Sequence, residues 1–328
     1  MQCYKNKWWL IGLALSFVWI LLFPYPVVAG YPERDLRYIL HVQPGGATDI
    51  LARKLAAGLQ DRLGVNVIVE NRPGGKSARQ MAVLTKSDPD GYTIGAVTAS
   101  HISDFNQSSG RYGVDSIEWL AGLVLDPYLI AIDGESPVQS LKELVAFAKQ
   151  NPGELKVAGF SRGSGGHVAW EIFSQSAGLE SGDVRWVPYD SVSSAVTAVL
   201  GGHVDVTIAH VNLVRSHVLL KDIRVLGIMA DERAELLPDV PTFAEAGFNI
   251  DTSWQQFRGV IAPKGTPLEV QQKLAAEIRL VMATPEFSRF LESAQLNYGF
   301  MTPGEFARFA RKQDQATKFW LEHLGILK

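Results

Sequence analysis

The chain has 328 residues, 47% hydrophobic and 20% charged, with a formal charge of -3. That is enough apolar chain to bury a sizeable core in two domains of ordinary size, which excludes a disordered or fibrous protein. A slightly acidic balance without a basic run excludes a nucleic-acid footprint and leaves a small or neutral partner as the expectation.

At the N-terminus, Lys5 and Lys7 precede the apolar run from Trp8 to Phe23, and Val27-Val28-Ala29 places small residues where a signal peptidase reads. Residues 1–29 are therefore expected to be a signal peptide that exports the protein to the periplasm or another extracytoplasmic space. An uncleaved anchor is the competing reading, because the run is long for a signal core and short for a full span. Cleavage takes Lys5 and Lys7 from 31 basic residues, leaving 29 against 34 acidic ones, a balance of -5. It also removes Cys3, the only cysteine, so the mature chain has no thiolate, disulfide or zinc-thiolate chemistry.

Short β-rich runs then alternate with amphipathic helices. LRYILHV (36–42) is a strand that runs into the glycine-rich loop Gln43-Pro44-Gly45-Gly46-Ala47-Thr48-Asp49, and a helix follows with Leu51, Leu55, Leu59 and Leu63 on one face. VNVIVE (65–70) leads to a second such loop, Asn71-Arg72-Pro73-Gly74-Gly75-Lys76-Ser77, and YTIGAV (92–97) is the third strand. Ser140 and Glu143 have the spacing of a capping box before a helix. LKVAGF (155–160) leads to the third glycine loop, Ser161-Arg162-Gly163-Ser164-Gly165-Gly166, and to an amphipathic run from His167. VRWVPY (184–189), HVDVTI (203–208) and RVLGIM (224–229) are further strands. Thr302, Pro303 and Glu305 start the last helix, with Phe306, Phe309, Gln313, Trp320 and Leu324 on its inner side. Alternation of this kind implies βα units and largely parallel sheets.

Each strand-loop-helix junction presents unpaired backbone N–H groups at the positive end of a helix dipole, a geometry suited to a carboxylate or phosphate. Glycine lets a ligand approach that backbone closely. Three such loops at the carboxyl ends of strands point to an anion-binding crevice. Gly75-Lys76-Ser77 ends like a phosphate-binding P-loop, but Glu70 stands where that motif needs its first glycine. Gly159, Ser161 and Gly163 spell G-x-S-x-G, with acids and histidines following in hydrolase order, so a secreted serine hydrolase using Ser161 is the alternative function. Against it, five residues separate Ser161 from the helical run, where a nucleophile elbow turns directly. His167 and Glu171 share a helix face without a third metal ligand at a telling spacing, and no cofactor is implied. His167 is expected to donate a hydrogen bond to its loop or to a ligand, and Arg162 and Arg72 are candidate carboxylate clamps.

The segments HVQPGGATDILARKLAAGLQDRLGVNVIVENRPGG, SDPDGYTI, VPYDSVSSAVTAVLGGHVDV, LPDVPTFAEAG and RGVIAPKGTP, in this order, resemble the substrate-binding proteins of tripartite tricarboxylate transporters, the Bug or TctC family. The resemblance spans nearly all of the mature chain. It implies an α/β fold of the periplasmic-binding-protein type II, Venus-flytrap kind, with a ligand cleft between two domains: 30–129 plus 254–328, and 130–253. It implies a monomer that binds a small organic carboxylate and delivers it to the permease subunits in the membrane, without catalysis. Carried over by position, Gly45, Gly46, Ala47, Thr48 and Asp49 face Ser161, Gly163, Ser164, Gly165, Gly166 and His167 across the cleft. Thr98, Ala99, Ser100 and His101 also line it, and His210 near the cleft is expected to tune ligand choice. The chain departs from the family at Lys76, Ser77 and Arg79 after ENRPG, and at Asp190, Ser191 and Val192 after VPY, which puts the ligand in doubt rather than the fold.

Overall fold

The structure is a computed structural model, and it describes residues 30–327. The expected signal segment, residues 1–29, lies outside the described residues. In chain order, β1 (Leu36–Leu40), α1 (Ala47–Leu63), β2 (Val67–Asn71), α2 (Ala78–Leu84), β3 (Thr93–Thr98), α3 (Ala99–Asn106) and β4 (Ile117–Asp126) come first. After a crossing at Pro127 and Tyr128 come β5 (Leu129–Asp133), α4 (Leu141–Gln150), β6 (Leu155–Phe160), α5 (Gly165–Ser176), β7 (Val184–Tyr189), α6 (Val192–Leu200), β8 (Val206–Ala209), α7 (Val211–Leu220) and β9 (Ile223–Ile228). The chain then returns through β10 (Gln256–Pro263), α8 (Leu268–Met282), α9 (Pro285–Ala294), β11 (Tyr298–Met301) and α10 (Pro303–His323).

The strands form two sheets. One has six strands in the order β11-β4-β10-β3-β1-β2, and the other has five in the order β7-β6-β8-β5-β9. The expected βα units are there: β1 pairs parallel with β2 and β3, and β6 pairs parallel with β7 and β8. The sheets are mixed, however, and not largely parallel. β10 runs antiparallel to both β3 and β4, and β5 runs antiparallel to both β8 and β9. The four strands absent from the sequence reading are β4, β5, β10 and β11. β4 and β10 are buried along almost their whole length, so they lack the period-two alternation that marks a half-exposed strand.

Each sheet is covered on both faces by its helices. Leu51, Leu55 and Leu59 of α1 pack with Leu36, Tyr38 and Leu40 of β1 and with Leu274 and Ile278 of α8. Each such buried leucine contributes about 1.5–3 kcal/mol relative to exposure. The opposite face joins Val97, Trp119 and Phe257 to Phe306 and Ala310 of α10. The second sheet buries Ile130, Val157, Phe173 and Phe243 in its own core. α10 belongs to both cores, because its Trp320 packs into the second one. It starts with the expected capping box between Thr302 and Glu305, and it buries Phe306, Gln313 and Trp320, while Phe309 and Leu324 are half-buried. The Ser140 cap of α4 also forms, accepting from the Glu143 N–H at 3.2 Å.

Candidate ligand cleft

Four helices begin within a few residues of the carboxyl ends of strands: α1 after β1, α3 after β3, α5 after β6 and α7 after β8. Their N-termini converge on two side chains, Tyr128 in the crossing and Arg258 in β10. Arg258 Nε donates to Thr48 Oγ1 in the first turn of α1 at 3.3 Å. Tyr128 Oη donates to Gln256 Oε1 at 3.3 Å, and its ring stands 4.7 Å from that of His210, the N-cap of α7. Tyr128 also lies against Gly165 at the start of α5, where a methyl group would come within 3.6 Å of Ala99 Cβ at the start of α3. The first and third glycine loops, the Thr98 segment and His210 are therefore brought together. The second loop is not. Ser77 donates through its N–H and its hydroxyl to Asp104 Oδ2 at 2.9 and 2.8 Å, and Lys76 donates to Gln107, so this loop docks on the far half of α3 beside a separate cavity of about 250 Å³.

In the first loop Gly46 is the N-cap of α1, and no side chain caps the helix. The first-turn N–H groups at Ala47 and Thr48 thus lie outside the intrahelical ladder. Asp49 is 2% exposed and braces this loop: its carboxylate accepts from Gly45 N–H at 2.9 Å, Arg53 Nε at 3.0 Å and Asn71 Nδ2 at 2.8 Å. Burial by itself would raise the pKa of Asp49, and these donors outweigh it and hold the carboxyl below its ordinary value. The Gly45 N–H is engaged by Asp49, so the loop offers fewer free donors than its glycines suggest.

His101 plays a similar bracing part for α3. Thr98 N–H donates to His101 Nδ1 at 3.1 Å, while His101 Nε2 meets Gln80 Oε1 at 2.7 Å. The Gln80 amide nitrogen donates to Ile39 O and Ala96 O, so its oxygen accepts, and the His101 proton sits on Nε2. Burial keeps this imidazole well below its usual pKa and neutral. With no exposed surface, His101 fixes the start of α3 from behind. Gln80→Leu leaves the His101 Nε2–H without an acceptor, and a loss of about 1–3 kcal/mol is expected. Urea unfolding checks this: the midpoint should fall at an unchanged slope.

The third loop is braced by a histidine of the opposite sense to the one expected. The His167 side chain does not donate to it; Nδ1 accepts from Gly163 N–H at 2.9 Å, Nε2 faces Glu171 at 3.5 Å, and the ring stacks on Trp186 at 4.1 Å. Ser164 caps α5, accepting from His167 N–H and donating to Phe160 O at 2.6 Å, and its own N–H bonds Ser161 O. Ser103 of α3 donates to Gly163 O, and Trp254 Nε1 donates to Gly165 O at 2.9 Å. Gly163 and Ser164 N–H groups are thus engaged, and those of Gly165 and Gly166, ahead of the His167 N–H that Ser164 caps, lie outside the intrahelical ladder of α5. Both ring nitrogens of His167 are committed, so it is no general base for the half-buried Ser161.

Two residues at the centre were missed. Arg258 and Asp126, 6% and 2% exposed, form an ion pair through Arg258 Nη1 and Asp126 Oδ2, and Asp126 Oδ1 accepts from Asn297 N–H at 3.2 Å. Their signal is a charge near one end of each of two apolar runs, Asp126 closing IEWLAGLVLD, which also carries Glu118, and Arg258 near the start of QFRGVIAP. Among the described residues no group of three or more His, Cys, Asp or Glu side chains could hold a metal ion, and no helix is long and apolar enough to cross a membrane.

Residues 51–326 match the model of the tripartite tricarboxylate transporter family receptor, TctC. The chain belongs to this family. BugT of Bordetella pertussis is 34% identical over 240 residues, 72% of each chain. Among solved structures, the R. palustris protein Rpa4515 with adipate superposes with a TM-score of 0.77 at 25% identity, covering 90% of this chain and 98% of that one. MatC from Rhodopseudomonas palustris with bound malate gives 0.74 at 21% identity, covering 88% and 99%. The two-sheet α/β fold is that of TctC-type periplasmic solute-binding proteins, and the TctC family is one of receptors.

Proposed function

We propose that this TctC receptor captures a small organic carboxylate, a di- or tricarboxylate or a related acid, and delivers it to the permease of a tripartite tricarboxylate transporter. The observation that carries the reading is the convergence of four helix N-termini, two of them glycine-opened, around the buried Tyr128 and Arg258. Oriented N–H dipoles hold an anion well once closure of the cleft excludes solvent. Relatives of the same fold were solved with adipate and with malate.

One carboxylate docks on the N–H groups of Ala47 and Thr48, and Gly165, Gly166 and the Ser161 hydroxyl take the ligand's other polar end. Asp49, His101 and His167 act by holding their loops in shape. The lobes are residues 30–129 with 254–328, and 130–253; the closed form is favoured because only there does the ligand touch both. The receptor acts outside the cytoplasm, as a monomer.

Isothermal titration and thermal shift with a panel of di- and tricarboxylates, amino acids and aromatic acids test the reading. An acid at about 100 times its Kd should stabilise the fold by about 2.7 kcal/mol. No stabilisation by any small acid, together with ester hydrolysis lost in Ser161→Ala, would overturn it in favour of a hydrolase.

A further inference from the structure

The Arg258–Asp126 pair has no part in the carboxylate docking just described. Asp126 ends β4, and the register that sets Gln256 opposite Asp126 and Arg258 opposite Val124 places the two charges diagonally on adjacent strands. Arg258 uses Nη1 on Asp126 and Nε on Thr48. Its Nη2 has no acceptor among the described residues, yet it is not one of the unpartnered atoms sealed from solvent. A guanidinium keeps its charge in any protein environment. Taking it out of water is costly unless its donors are matched, and a carboxylate is the acceptor that suits its planar fork. The open end of a nearly buried arginine thus lies beside the uncapped first turn of α1.

We propose that Arg258 reads the ligand's charge, its Nη2 and the first-turn N–H groups of α1 holding one carboxylate between them, while Asp126 limits how much negative charge the cleft accepts. This rests on the carboxylate reading above and narrows it to mono- and dicarboxylates. Asp126 already neutralises Arg258. Burial keeps His41 and His210 at a pKa of about 4 and raises that of the Tyr128 phenol, so these three add no cation, while Arg53 is engaged by Asp49 and Asn71 and Arg162 donates to Leu324 O at 3.4 Å. A second carboxylate has the first-turn dipoles of α5. With one carboxylate on Arg258, that single positive charge is shared between it and Asp126, so a third carboxylate meets a net negative centre, and one such charge within about 6 Å weakens binding roughly 100-fold.

The test is titration calorimetry on the full chain with malate, adipate, adipate monoamide and propane-1,2,3-tricarboxylate. Expected is binding of at least one dicarboxylate roughly 100-fold tighter than the tricarboxylate. Arg258→Gln should weaken the dicarboxylate by a similar factor and Arg258→Lys by less, since lysine keeps the charge and loses the fork. Asp126→Asn should narrow the gap to the tricarboxylate about tenfold. Unliganded thermal melts check that the variants fold; the comparison of acids on the unaltered chain needs no variant. Tricarboxylate binding as tight as the dicarboxylate, or a folded Arg258→Gln that binds unchanged, overturns the proposal while leaving the carboxylate reading intact. An unaltered chain that binds none of the acids sinks both.

Discussion

Between pH 6.5 and about 4 the protein is expected to lose several kcal/mol of stability, and histidines rather than carboxylates carry the loss. Burial holds His41 and His210 at a pKa of about 4, His167 at about 3 and His101 well below 6.5. These rings are neutral in the fold. The unfolded chain takes up their protons below pH 6.5, so it binds more protons through this window and stability falls as pH falls. For His41 and His210, each lowered from 6.5 to about 4, the full loss is on the order of 3 kcal/mol apiece. Asp104 and Glu171 work against it: burial raises their pKa values, so the fold binds their protons first and part of the loss is offset. Glu70, held at about 2 by Arg37 and Arg72 against the effect of burial, adds a loss only below its ordinary value of 4.5. Urea midpoints at pH 7, 6, 5 and 4 measure the effect, and a flat midpoint down to pH 4.5 would contradict it.

Gly165→Ala should abolish tight ligand binding and destabilise the fold by about 1–3 kcal/mol. A methyl group there overlaps Tyr128 Oη and comes within 3.3 Å of Cζ. Neither side yields easily. Trp254 holds the Gly165 carbonyl, while His210 and Gln256 hold the tyrosine. Gly46→Ala is the contrast: its φ is -76° and its nearest neighbour would be Gln43 O at 3.8 Å, so no clash arises and stability should fall by no more than about 1 kcal/mol, the difference between glycine and alanine at an N-cap. Melts of both variants and calorimetry with a bound acid decide it. Equal behaviour of the two would mean that Tyr128 moves freely.

What was legible in the sequence was local. The leucines of α1, the Ser140 cap and the Thr302–Glu305 box depend on spacings of three and four, and the glycine loops mark the helix starts that converge on the cleft. The long-range features were not. β10 is a central strand whose Arg258 meets a partner 132 residues away, and nothing near either residue announces the other. The senses of the His101 and His167 hydrogen bonds depend on what the far ring nitrogen meets, Gln80 in one case and Glu171 in the other. The second loop looked equivalent to the other two because its glycines are. Asp104, on the helix after the next strand, turns it away.

The position of β10 bears on how the chain folds. The five-stranded sheet comes from one continuous stretch, 129–228, and it can assemble as soon as that stretch is available. The six-stranded sheet cannot, because β10 lies between β3 and β4 and arrives more than a hundred residues after them. Until it inserts, two apolar strands carry open edges, the condition under which chains pair with one another. The late insertion of a central strand is expected to make this sheet the slower half of folding and the half more open to pairing between chains.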